Sequence, residues 1–177
     1  TGTTVTFTGD GLMTLSAGSN VTANVTNTQG AANNGNLTTA GNSVITGTVG
    51  ATGTGRLGSQ TINGIGGTTA QITGATYATD ATIGAGTLQL DSNADITTTS
   101  IGAGTLSMAN GADLTGTTVT FTGDGLMTLS AGSNVTANVT NTQGAANNGN
   151  LTTAGNSVIT GTVGATGTGR LGSLTIS

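Results

Sequence analysis

The chain has 177 residues and a formal net charge of −4, with two arginines as its only basic side chains, six aspartates, and no Glu, Lys, His or Cys. Few side chains could therefore act as a general base, a nucleophile or a soft metal ligand, and the composition argues against an enzyme. Two cations form no basic patch for nucleic acid, and no apolar run approaches the roughly 20 residues of a membrane span.

The first element in chain order is a long tandem repeat, and repeats are the feature to seek first because they decide the fold. Residues 1–63 recur as residues 115–177 with two substitutions, at an offset of 114. The repeat predicts one continuous domain over 1–177, in which 1–114 form one unit and 115–177 begin a second, nearly identical one.

A shorter period runs inside this unit. Three consecutive segments, each beginning with Ile-Gly, align without gaps at a spacing of 18: IGGTTAQITGATYATDAT, IGAGTLQLDSNADITTTS and IGAGTLSMANGADLTGTT. Extended in both directions at spacings of 18 to 20, the pattern predicts six coils per unit, each of about 19 residues, and about nine coils in the chain. It also predicts that one inward column holds Phe7, Val25, Ile45, Ile65, Ile83, Ile101 and Phe121.

Within each coil, apolar residues alternate with polar ones, as in T-L-Q-L, and Gly, Asn, Asp and Ser separate the short apolar runs. This pattern is typical of short strands joined by tight turns. A single coil cannot bury its apolar residues, whereas stacked coils form a thin continuous core. We therefore predict an all-β, right-handed parallel β-solenoid. A sandwich or barrel of antiparallel hairpins also has many short strands, but it does not predict gapless alignment between coils.

The quoted residues resemble those of a known family. NLTTAGNSVITGTVGATGTGRLGSQTINGIGGTTAQITGAT (residues 36–76) resembles the passenger repeats of rickettsial outer-membrane surface antigens, which are autotransporters. GDGLMTLSAGSNVTAN (residues 9–24) is similar to the repeats of filamentous haemagglutinin-type exoproteins. The resemblance implies a non-enzymatic, rod-like adhesin passenger on the bacterial cell surface, anchored to an outer membrane. The implied partners are the rest of a longer array and a host-cell surface protein or glycan.

A second hypothesis is a self-assembling extracellular filament, sheath or surface-layer subunit, in which coil stacking continues between copies of the chain. The two hypotheses differ in what covers the end coils, because a passenger needs polar caps and a polymer leaves edges to be paired.

One weak metal site can be drawn from the gapless coils, and no other cofactor is predicted. Asp95 and Asp113 occupy equivalent places in two successive segments of the gapless alignment, which predicts two carboxylates in one column. A calcium ion could relieve their repulsion, with Asn93 as a further oxygen ligand. A sugar-cleaving carboxylate pair, Asp91 and Asp95, is the remaining enzymatic hypothesis.

One polar residue, Gln60, tests the predicted strand register. Gln60 stands where the second copy has Leu174, and it has the same strand parity as Ile62, so we expect it to face inward and to hydrogen-bond a neighbouring coil or lie at a widened corner. Thr-x-Thr stretches such as TVTFT raise the hypothesis of ice binding. Against that hypothesis, we expect that the threonines do not keep one column through every coil.

Overall fold

A computed structural model describes residues 3–29, 34–143 and 148–177. The chain is 55% strand, in parallel sheets stacked as a β-solenoid of about eight turns with roughly 21 residues per turn. The predicted all-β, parallel solenoid is therefore confirmed, and the antiparallel alternative is wrong. The predicted coil was too short and the predicted number of coils too large. The right-handed sense stays a prediction, based on the strong general preference for that hand in parallel crossovers.

Eighteen strands and two short 3-10 turns, Gly53–Gly55 and Gly167–Gly169, make up the described elements. The strands are β1 (Thr4–Phe7), β2 (Leu12–Leu15), β3 (Ser19–Val21), β4 (Asn24–Asn27), β5 (Asn36–Thr39), β6 (Ser43–Ile45), β7 (Leu57–Asn63), β8 (Thr69–Ile72), β9 (Thr76–Ala85), β10 (Thr87–Leu90), β11 (Ala94–Ile101), β12 (Thr105–Met108), β13 (Leu114–Phe121), β14 (Leu126–Leu129), β15 (Asn134–Asn141), β16 (Asn150–Thr153), β17 (Val158–Thr160) and β18 (Ser173–Ile176).

The strands form three faces. The first face holds β1, β4, β17 and the first halves of β9, β11, β13 and β15, with bridges through Val49 joining β4 to β9. The second face holds β2, β5, β7 from Ser59 onward, and the second halves of the same four long strands. The third face holds β3, β6, β8, β10, β12, β14, β16 and β18. In β9 and β11 the alternation of buried and half-buried residues is interrupted at Thr79–Asp80 and Thr97–Thr98, which marks the corner between the first two faces.

Inward side chains stack in columns along the axis. The inward column of the second face is Leu15, Thr39, Ile62, Ile83, Ile101, Phe121 and Asn141, all buried. The sequence numbers of its successive members differ by 24, 23, 21, 18, 20 and 20, so the coils differ in length. The longer coils carry their extra residues in turns, such as the one where the Ala51 N–H donates to the Gly55 carbonyl at 2.9 Å.

The predicted single column is correct only where coils have no inserted residues. Ile83, Ile101 and Phe121 are successive members of one column, as expected. Ile65 is 76% exposed, and Ile62 pairs with Ile83 in its place. The remaining three residues are buried but belong to other faces, because extra turn residues shift the register: Phe7 and Val25 on the first face and Ile45 on the third.

The two copies of the repeat occupy different faces. Each keeps its internal pairing, so that β2 pairs with β5 and β14 pairs with β16 at equivalent residues. Leu15, however, lies on the second face and its copy Leu129 on the third. Leu15 and Phe121 are five turns apart in one column, and Leu129 lies one face further on. One unit therefore makes five and one third turns, where the sequence predicted six coils.

Gln60 faces inward as predicted and is fully buried. Both polar atoms of its amide lack a hydrogen-bond partner within the described part of the chain. The expected bond to a neighbouring coil is wrong because Leu37 and Ala81, which flank Gln60 in the column, have no polar side-chain atoms. Gln60 also lies within strand β7 and not at a corner.

We predict that Gln60→Leu stabilises the protein by about 1–3 kcal/mol, because it removes a buried amide without partners and the same column already accepts Leu37. Urea unfolding measures the change. The reverse substitution in the second copy, Leu174→Gln, is the control and should be nearly neutral, because Leu174 is 52% exposed. A lower midpoint for Gln60→Leu would mean that water molecules satisfy the amide.

Candidate functional site

Arg56 joins three successive coils. Its Nη1 donates to the carbonyl oxygens of Ala78 at 2.8 Å and Asp95 at 2.7 Å, and its Nη2 donates to the Asp95 carboxylate at 2.5 Å. The Arg56 side chain is 22% exposed and that of Asp95 42%. Asp95, predicted as a calcium ligand, is thus ion-paired with the Arg56 guanidinium, which links the stacked coils.

The other two residues of the predicted calcium site form a ladder along a corner. The Asp113 N–H donates to Asn93 Oδ1 at 3.0 Å, the Asn134 N–H donates to Asp113 Oδ1 at 3.0 Å, and the Val158 N–H donates to Asn134 Oδ1 at 3.2 Å. Each side chain accepts from the backbone of the next coil, which satisfies corner amides that strand pairing leaves open. These side chains hold coils together.

Asp95 and Asp113 do not share a column, so that prediction is wrong. Asp95 pairs with Thr115, because this coil is longer than the gapless alignment predicts. The part of the chain that the structure describes contains no cluster of three or more His, Cys, Asp or Glu side chains suited to a metal ion.

The proposed sugar-cleaving pair is also engaged elsewhere. Asp91 accepts hydrogen bonds from the amides of Gln71 and Gln89, at 2.5 and 2.7 Å, whereas Asp95 binds Arg56. The Asp80 carboxylate accepts a hydrogen bond from the Thr98 hydroxyl. Except for the Gln89–Asp91 bond, which lies within one coil, these bonds link neighbouring coils, and all of them give the carboxylates structural partners.

A regular column of hydroxyls lies on the outside of the second face. We call it the hydroxyl ladder; all its members are exposed or half-buried, and none of their hydroxyls is hydrogen-bonded to another of the described residues. Seven successive coils contribute six threonines and one serine, so the column is nearly continuous, although Ser100 interrupts the threonines, as expected. The ladder is Thr14, Thr38, Thr61, Thr82, Ser100, Thr120 and Thr140.

The second outward column of this face is different. Asn36, Ser59, Asp80 and Thr98 follow one another in it, and their side chains are bonded along the axis, with the Ser59 hydroxyl donating to Asn36 Oδ1 at 2.7 Å and Thr98 to Asp80. The hydroxyl ladder is therefore a single column of hydroxyls that are available to donate and accept hydrogen bonds. It lies beside a column whose polar side chains hydrogen-bond one another.

Sequence reasoning missed the ladder because its register was wrong in the long coils. The signal is present in the sequence once the inward column from Leu15 to Asn141 is known: a Thr or Ser directly precedes every member of that column, as in MTL, LTT, QTI, ATI, TSI, VTF and VTN.

The coil that holds β18 leaves apolar side chains uncovered. Leu174 is 52% and Ile176 75% exposed, whereas their counterparts Gln60 and Ile62 are buried beneath the following coil. Beside Leu174 lies an open hollow of about 530 Å³, lined in part by Val163 and Leu171.

Comparison with protein-family models, with curated proteins and with solved structures finds no match for this chain. Neither helical turn in the described part of the chain has the length or hydropathy of a membrane-spanning helix.

We predict that Arg56→Ala destabilises the protein by about 1–2 kcal/mol, because it removes charge-assisted bonds between coils in a partly screened setting. Arg170 occupies the same position in the second copy and is exposed, so Arg170→Ala is the matched control and should be nearly neutral. Thermal unfolding compares the two. Equal effects would show that the coil-bridging bonds add no stability.

We predict that neither calcium nor EDTA changes the thermal midpoint, because Asp95 and Asp113 bind protein groups and lie in different columns. A midpoint that rises with added calcium would contradict this and return the two carboxylates to a metal site.

Proposed function

We propose that this chain is a non-enzymatic extracellular rod, part of an adhesin passenger that holds or spaces a binding surface away from a bacterial cell. The observation that carries the proposal is the way in which the two copies of the repeat are placed and paired in the solenoid. Residues 1–63 and their near-identical copy, residues 115–177, share one solenoid and keep the same pairing between their own strands, although the copy lies one face further on.

A rod requires that repeat units can be added without disrupting strand pairing or core packing at each junction. Strands β13 and β15 contain residues of the second copy, yet they continue the sheet begun by β9 and β11 without a change in pairing direction. Buried residues continue across this junction, from Ile101 to Phe121 and from Leu114 to Val135. Unit number can therefore set the length of the rod, while each coil keeps its two neighbours.

The extracellular location and the adhesive role are supported by the resemblance of residues 36–76 and 9–24 to surface-exposed passenger repeats. The corner ladders support a mechanical role, because the scarce charged and amide side chains bond coil to coil: Arg56 with Asp95, and Asn93 with Asp113. A host-cell protein or glycan is the proposed partner of the surface that the rod presents.

Rod length tests the proposal. The described chain should measure roughly 38 Å along its axis, at roughly 4.8 Å per coil. Inserting one further copy of the repeat unit should lengthen it by roughly 26 Å, the rise of five and one third turns. Small-angle scattering on the two chains measures the difference. A compact particle, or an increase well away from this value, would contradict the rod.

A second candidate is an end-on filament, in which the parallel pairing that joins successive coils would continue between copies of the chain. Electron microscopy distinguishes the candidates: long uniform filaments favour the polymer, and separate short rods favour the passenger.

A further inference from the structure

We propose that one coil of the solenoid, residues 49–72, is weaker than its neighbours and opens while the coils on either side keep their strand pairing. We call it the weak coil; it contains β7 and β8. In a rod under load, this coil is the first place to yield. Its opening is a property of the solenoid itself and does not depend on the proposed adhesive role.

Buried polar atoms without partners are concentrated in this part of the chain. Among the described residues, five buried side-chain oxygen or nitrogen atoms make no hydrogen bond, and all five lie between residues 39 and 76. They are the two polar amide atoms of Gln60 and the hydroxyl oxygens of Thr39, Ser43 and Thr76. A buried polar group without a partner keeps the cost of its lost hydration. The folded state therefore carries an uncompensated cost in this region.

Strand pairing places all four residues in the weak coil or directly against it. Gln60 belongs to the coil itself. The other three stack on inward side chains of the coil in the following pairs: Thr39 with Ile62, Ser43 with Ala70 and Thr76 with Val49. Opening this one coil therefore exposes all five polar atoms to water and removes the cost of burying them.

The apolar core is also thinner here. In the inward column of the third face, the weak coil stacks Ala70 on Ser43, whereas later coils place larger side chains in the same column: Leu88, Leu106, Met127 and Leu151. Less apolar area is removed from water at Ala70, so a smaller hydrophobic free energy holds the coil in place. The register between β7 and β9 also shifts between Ile62 and Asn63.

Buried polar side chains of later coils, in contrast, have partners. Asn141 donates to the carbonyl oxygens of Asn148 and Arg170, both at 2.9 Å, and the Ser133 hydroxyl donates to the carbonyl oxygen of Ala109 at 2.7 Å. Because a solenoid coil contacts only the coils before and after it, the weak coil can open without the rest of the fold.

Trypsin detects this opening, because the chain has two cleavage sites for it, after Arg56 and after Arg170. The Arg56 side chain is bonded to the next two coils and Leu57 is fully buried, so this site is cut only when the weak coil opens. Arg170 is exposed and reports the activity of the protease. Gln60→Leu should slow cleavage after Arg56 by about tenfold or more and leave cleavage after Arg170 unchanged, since cleavage follows the population of the open form.

Val139→Ala is the control for global unfolding. Val139 is fully buried in the same inward column as Gln60, four coils further on. Its truncation lowers the free energy of unfolding of the whole chain, which urea unfolding measures, but leaves the weak coil as it is. We expect unchanged cleavage after Arg56. Cleavage that accelerates in proportion to the loss of global stability would show that the whole chain must unfold, and would overturn local opening.

Hydrogen exchange measures the opening in the unsubstituted chain. After correction for intrinsic rates, the backbone amides of Gln60 and Ile62 should exchange about tenfold faster or more than those of Val119 and Phe121, which stack in the same two columns three coils further on. Equal protection would overturn the weak coil. Faster exchange at Ile62 in Gln60→Leu would also overturn it, because a hydrated amide would then be stabilising the coil. Scattering measures the length of the rod separately, so failure of the weak coil and failure of the rod give different results.

Discussion

Axial pairing between parallel strands is the constraint on which this structure depends. Each coil obtains its backbone hydrogen bonds and most of its apolar contacts from the coils before and after it, so no coil folds by itself. This axial pairing also determines which side chains fit in the interior. A residue is accepted wherever it fits between its two column neighbours, as Ile83 does between Ile62 and Ile101. The narrow interior is filled by Val, Ile, Leu and Ala, and two phenylalanines are the only rings buried in it among the described residues.

This constraint makes the three faces nearly interchangeable. Val5 lies on the first face and its copy Val119 on the second, and both keep their pairing to the equivalent residues Val25 and Val139. The repeat unit can therefore contain a number of turns that is not whole. A unit of six coils would have returned each residue to its own face; one of five and one third turns does not.

The same physics explains which parts could be predicted from the sequence. Column spacing is visible where coils have no inserted residues, as from Ile83 to Ile101, and there the prediction is correct. Elsewhere the register depends on turns such as the one around Gly53–Gly55, which add residues without any apolar pattern. Ile65 was misplaced for this reason, and so was Asp113. The inward orientation of Gln60 followed from parity, but its lack of partners depends on the side chains above and below it, which a wrong register hides.

The rotation of the repeat also limits what kind of surface the rod can present. If a whole number of turns separated the units, every copy of a side chain would lie on one side of the solenoid. Here Thr14 is on the second face and Thr128 on the third, so successive units turn the same surface through one third of a circle. Three units and sixteen turns bring it back to the first position. Copies of one surface would therefore follow a helical order around a longer solenoid, because parallel pairing accepts the same strand on any of the three faces.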